Sequence, residues 1–185
     1  MKFWFGAPSC VPATDLETSG AKLSSKEIEI LINNPEIKHL VEMMNYPGVI
    51  YKDEEVYKKL DIAKKKKKQI DGHAPGLSGK DLKKYVEAGI TTDHECTTIK
   101  EAEEKISLGM EIIIREGSAA RNLDTLKELY KKYPEKLMLC SDDLHPEMLG
   151  KRHINKIVGK LIYEGYDKFD IIRSATINPV EHYNL

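Results

Sequence analysis

The sequence has little net charge, few cysteines and no long apolar run, and each shortage excludes a class of protein. A net charge of −1 supplies no general attraction to nucleic acid or to an anionic membrane, so neither is expected as a partner. The three cysteines, Cys10, Cys96 and Cys140, are odd in number and form no C-x-x-C pair. That argues against a disulfide framework and fits a reducing, cytoplasmic setting. No apolar stretch reaches the ~18 residues of a membrane-spanning helix. The apolar part of residues 1–8 is too short for a signal peptide and reads better as a strand. Neither G-x-G-x-x-G nor G-x-x-x-x-G-K-[ST] occurs, so no phosphate loop is expected.

What is present is an alternation of short apolar runs with amphipathic stretches. The 185 residues give room for one good core, and 41% hydrophobic with 32% charged residues is ordinary for a globular domain. Strand signals fall at residues 2–5, 39–44, 69–71, 90–92, 111–115 and 137–140. Between them lie helical stripes. Ser24 to Glu27 forms a capping box before Ile28, Leu31 and Ile32; Asp53 opens a second helix with Val56, Leu60 and Ala63. Ser78 to Asp81 is expected to cap a third, Thr98 to Glu101 a fourth, and Leu123 to Tyr133 reads as a fifth. Two more follow, around residues 154–163 and 167–176. The run Lys64 to Lys68 reads as the solvated C-terminal end of a helix, where positive charge is favourable, rather than as a nucleic-acid or lipid patch.

Strand then helix with short connections implies parallel strands joined by right-handed crossovers. The polar residues choose between an open sheet and a barrel. Glu42, His73, His94, Glu116 and Asp142 all fall at or near the C-terminal ends of different strands, which is where a β/α barrel places its chemistry. Glu42 stands between Val41 and Met43, and a carboxylate in an apolar run is costly to bury unless a cation pairs it. His73, between Gly72 and the Pro75-Gly76 turn, reads either as a turn histidine or as a presented ligand. His94 is flanked by Asp93 and Glu95, either a solvated loop residue or a ligand oriented by a neighbouring carboxylate. Asp143 is expected to cap the following helix.

Several segments together carry a resemblance. Glu42-Met43-Met44-Asn45, Asp71 to Gly76, Thr92-Asp93-His94-Glu95, Ile114 to Ser118, Ser141 to Pro146 and Ala175 to Pro179 resemble the central motifs of the adenine deaminase family of the amidohydrolase superfamily, in order and from end to end. Pro8 to Thr14 and Glu17 to Gly20 resemble it too.

The resemblance implies a two-metal site in a TIM-type β/α barrel, with manganese or iron more expected than zinc. It makes Glu42 the bridging carboxylate and catalytic, His73 and His94 further metal ligands, and Asp142 a ligand that also moves the proton. It makes Glu95, Glu116 and Ser118 candidates for holding the purine. The reaction it implies is hydrolytic deamination of adenine to hypoxanthine and ammonia by a metal-activated hydroxide, within purine salvage. Adenine would be the small-molecule partner.

One departure stands against completeness. The superfamily's first-strand His-x-His occurs nowhere in the chain. The expectation is therefore one partial barrel domain over residues 1–185, corresponding to strands three to eight. It would act in a longer chain, or exist as a non-catalytic remnant or subunit that needs a complementing fragment or a second copy. His145-Pro146-Glu147 matches the H-x-E of the zinc cytidine-type deaminases, but no P-C-x-x-C follows it.

Overall fold

The computed structural model describes residues 2–14 and 17–185. The chain divides into two compact units, Met1–Asp93 and His94–Asn184, and each is an α/β arrangement with parallel strands.

In the first unit, β1 (Phe5–Pro8), β2 (Ile37–Met43) and β3 (Gln69–Gly72) form a parallel sheet in that order. The first strand begins at Phe5, three residues later than the aromatics suggest. Its partner β2 starts only at Ile37, behind the Asn34-Pro35 turn, so residues 2–4 have nothing to pair with and Phe3 stays exposed. The β2–β3 pairing shifts register between Leu40 and Met43. Glu42 lies in that irregularity with φ of 39°. Such a bulge re-aims one side chain without ending the strand.

Helix α1 (Ser25–Asn33) starts at the capping box as read: Ser24 N donates to Glu27 Oε2 at 2.7 Å, and Ile28 and Ile32 are buried. A short helix, α2 (Tyr46–Ile50), occupies what reads as Pro47-Gly48 turn chemistry; the Asn45 side chain accepts from Gly48 N at 2.9 Å and the proline sits in its first turn. Helix α3 (Glu54–Lys65) is capped by Asp53 and buries Val56, Leu60 and Ala63. Its lysine run is not uniformly solvated, because Lys68 Nζ donates to Ile32 O at 2.6 Å, to Asn34 O at 3.1 Å and to Ile37 O. Those carbonyls belong to the α1–β2 connection, so this lysine staples the connection shut. Helix α4 (Gly79–Glu87) buries Leu82 and Tyr85, but Ser78 makes no side-chain cap. The short β4 (Thr92–Asp93) lies beside β3, with Thr91 N donating to Ile70 O at 2.9 Å.

In the second unit, β5 (Glu111–Arg115) and β6 (Leu137–Cys140) pair in parallel, Ile112 opposite Leu137 and Arg115 opposite Cys140. Ile112, Ile114, Leu123, Leu126, Leu137 and Leu161 form the middle of its core. Helix α5 (Ile99–Ser107) is capped by Thr98 as expected. The stripe from Leu123 breaks up: α6 (Leu123–Leu126) tightens into 3-10 turns over residues 127–131 and 134–136, since Pro134 cannot continue the helical ladder. Then come α7 (Pro146–Leu149), α8 (Ile154–Tyr163), α9 (Lys168–Ala175) and α10 (Ile177–Tyr183). The last is a separate helix, beyond the expected end near Thr176. Thr176 departs from helical geometry at φ −137° and ψ −75°, and Asn178 Nδ2 fixes the new direction by donating to Pro134 O at 3.0 Å and Leu137 O at 2.7 Å.

Candidate metal centre

The first unit gathers polar groups at the C-terminal ends of β2 and β3. Ser9 Oγ donates to Glu42 O at 2.6 Å, which anchors the bulge from β1. His73 follows β3 directly, and its Nδ1 stands 3.6 Å from Glu42 Oε2. Two donors each ~2.1 Å from one divalent ion span roughly 3–3.6 Å at angles near tetrahedral. Carboxylate and imidazole at that spacing fit a divalent metal. Both side chains are half-buried, 28% and 32% exposed, so solvent or a substrate reaches them.

Behind these two residues lies a buried set, of which sequence reading singled out only Asp93, and that as a partner of His94. The Tyr85 hydroxyl donates to Met43 O at 2.7 Å and accepts from His73 N at 3.0 Å. Burial pushes its phenol well above the usual value, so it stays a neutral donor. Asp71 is held by His39 Nε2 at 3.3 Å and by Thr92 Oγ1 at 2.8 Å. Asp93 Oδ2 accepts from Ala74 N at 3.1 Å. Gly72 has to be glycine, because a Cβ there would lie 2.2 Å from Thr92 O. Nothing in the helical stripe containing Tyr85 distinguishes it from an ordinary core residue.

In the second unit four side chains form a line. His94 Nε2 lies 3.3 Å from Glu95 Oε1, Glu95 Oε1 lies 2.5 Å from Arg115 Nη1, and Arg115 Nη1 lies 2.8 Å from Asp142 Oδ2. Burial works to lower the Arg115 pKa, but Glu95 and Asp142 outweigh it and hold the guanidinium more firmly charged than usual. Asp142, two residues past β6, has φ of 42°. Asn122 steadies the line from below: its Nδ2 donates to His94 O at 3.0 Å and its Oδ1 accepts from Arg115 N at 2.7 Å. Arg115 also went unread, although a charged residue ending a continuous β-branched strand is the signal that marks it.

The remaining candidates sit apart from that line. Glu116 bridges to Arg121 through the backbone and places its carboxylate 3.6 Å from Arg152 Nη1. Ser118 Oγ accepts from His145 N at 2.9 Å. Asp143 does not cap a helix. Its carboxylate instead accepts from Ser118 N at 3.1 Å and Ala119 N at 2.8 Å, because the loop after β5 curls two successive amides toward it. Those bonds hold its pKa below the ordinary 3.8.

Comparison with known proteins gives the family. The chain belongs to the amidohydrolase family, whose model matches residues 1–185. Its curated relatives carry a narrower name. It is 56% identical over 184 residues to the adenine deaminase of Sulfurovum sp. (strain NBC37-1), covering 100% of this chain and 34% of that protein. The adenine deaminase of Methanosarcina barkeri is 53% identical, covering 100% and 34%; that of Parabacteroides distasonis is 51% identical, covering 98% and 33%. The chain thus spans about a third of the length of these relatives. A crystal structure of an uncharacterized protein matches with a TM-score of 0.53 at 12% identity, over 86% of this chain and 48% of that one. That likeness concerns the fold alone.

Proposed function

We propose that residues 1–185 are a single partial-barrel domain of an adenine deaminase, a hydrolase converting adenine and water to hypoxanthine and ammonia in purine salvage. In this reading Glu42, His73, His94 and Asp142 hold two divalent ions, manganese or iron. The carrying observation is the 3.6 Å approach of His73 to the bulged Glu42. His94 joins the set through the resemblance of Thr92-Asp93-His94-Glu95 to the family's motif. When bound, such ions supply a hydroxide nucleophile at neutral pH. Asp142 takes the nucleophile's proton and delivers it to the departing ammonia, with Arg115 fixing the carboxylate's orientation. Glu95, Glu116 and Ser118 hold the purine ring. The free state of Cys10, Cys96 and Cys140 supports a cytoplasmic setting.

A second reading is favoured by one observation, the one-third span of the relatives. The chain alone is then non-catalytic and works only beside a complementing piece or a second copy. Both readings meet in one experiment. The chain is assayed for ammonia release from adenine with added manganese, alone and joined to the rest of the Sulfurovum relative. Turnover by the joined enzyme, lost on Glu42→Ala, His73→Ala or Asp142→Asn, supports deamination; turnover indifferent to these changes overturns the site. Activity of the unjoined chain overturns the second reading.

A further inference from the structure

We propose that Tyr85 is a positioning residue of the metal centre, its hydroxyl setting the distance between the two strand ends that carry Glu42 and His73. The inference rests on the metal-site reading above and goes beyond it, because Tyr85 touches neither an ion nor a substrate.

The geometry that carries it is compact. Residue 43 follows Glu42, and its carbonyl receives the Tyr85 hydroxyl proton at 2.7 Å. Residue 73 is the histidine itself, and its amide donates to the same oxygen at 3.0 Å. One atom therefore spans the ends of β2 and β3 just where their own pairing is irregular, between Leu40 and Met43. An ordinary ladder hydrogen bond would fix that spacing in a regular sheet; here the phenol substitutes for it. The strut is rigid because Tyr85 is fully buried in α4. Its tip is confined as well, since a Cβ on Gly72 would stand only 3.2 Å from the hydroxyl. Groups that orient ligands in this indirect way change metal affinity by about 10–100-fold when lost.

The test titrates manganese into the purified enzyme in which these 185 residues are joined to the rest of the Sulfurovum relative, followed by calorimetry, and records the visible spectrum of its cobalt form. Tyr85→Phe keeps the ring and removes only the oxygen. Tyr57→Phe is the control, since Tyr57 loses a hydroxyl bond within the same unit, to Val49 O at 3.3 Å, that involves neither Met43 nor His73. The expected result is about 10–100-fold weaker manganese binding and an altered cobalt spectrum for Tyr85→Phe alone, with both variants folded by circular dichroism. Equal affinity and an unchanged spectrum in Tyr85→Phe overturn the inference while leaving the metal site standing. Equal weakening by Tyr57→Phe also overturns it, as a general stability effect. If the joined parent enzyme binds no manganese or cobalt, the metal-site reading falls and the inference with it. Should Tyr85→Phe fail to fold, 4-fluorophenylalanine at position 85, which keeps the ring and its para substituent but cannot donate, is measured in its place against the same two outcomes.

Discussion

Arg115 donates to Asp142, Nη1 to Oδ2 at 2.8 Å, and the same nitrogen lies 2.5 Å from Glu95 Oε1. One guanidinium thus keeps two carboxylates from repelling each other. Arg115→Gln removes that charge and leaves Glu95 and Asp142 facing one another. The expected loss is about 1–3 kcal/mol, toward the lower end because Asp142 is 28% exposed. Arg115→Lys should recover only part of it, an ammonium lacking the planar fork. Urea midpoints of the three proteins measure this, and an unchanged midpoint for Arg115→Gln would mean the line of charges carries no stability.

Glu42 adopts a left-handed backbone, φ 39°, inside a strand. A side chain in that region costs roughly 1–2 kcal/mol, a strain held by the Ser9 contact and the pairing on either side. Glycine escapes it, although its own unfolded-state freedom costs about 0.5–1 kcal/mol. Glu42→Gly should therefore be more stable than Glu42→Ala by about 0.5–1 kcal/mol, the reverse of the order in a regular strand. Thermal melts of the two variants decide it; if alanine is the more stable, the bulge is not strained.

Asp143 has a pH signature of its own. The Ala119 and Ser118 amides hold its folded pKa below 3.8, so its contribution is complete above the unfolded value and disappears as pH falls through the folded one. Asp143→Asn cannot accept both amides with full charge. The melting-temperature gap between parent and variant should be widest near neutrality and close below pH ~3.8. A gap constant from pH 7 to 2.5 would sink this account.

Much of the scaffold was readable because its causes are local. The Ser24–Glu27 box, the Asp53 and Thr98 caps and the β-branched run of β5 each carry their own determinant, and all stand where the sequence places them. The elements misread depend on partners distant in the chain. Residues 2–4 have strand chemistry but no neighbour to pair with. Thr176 breaks a helix because Asn178 is bound to carbonyls of residues 134 and 137. The candidate site divides in the same way. Glu42 and His73 were marked by polarity at apolar strand ends and by flanking turn residues. Tyr85 and Asn122 hold that chemistry through backbone atoms, and such a role leaves no trace in residue type or spacing. Lys68 shows the converse: composition offered a charged tail, and the fold uses its ammonium as a three-way clasp.

The loop around Asp143 also has an evolutionary consequence. A Cβ at Gly117 would lie 1.7 Å from Asp143 Oδ1, so the two positions are not free to drift separately. A lineage that acquires a side chain at 117 has to swing the carboxylate at 143 aside and release the two amides it accepts from.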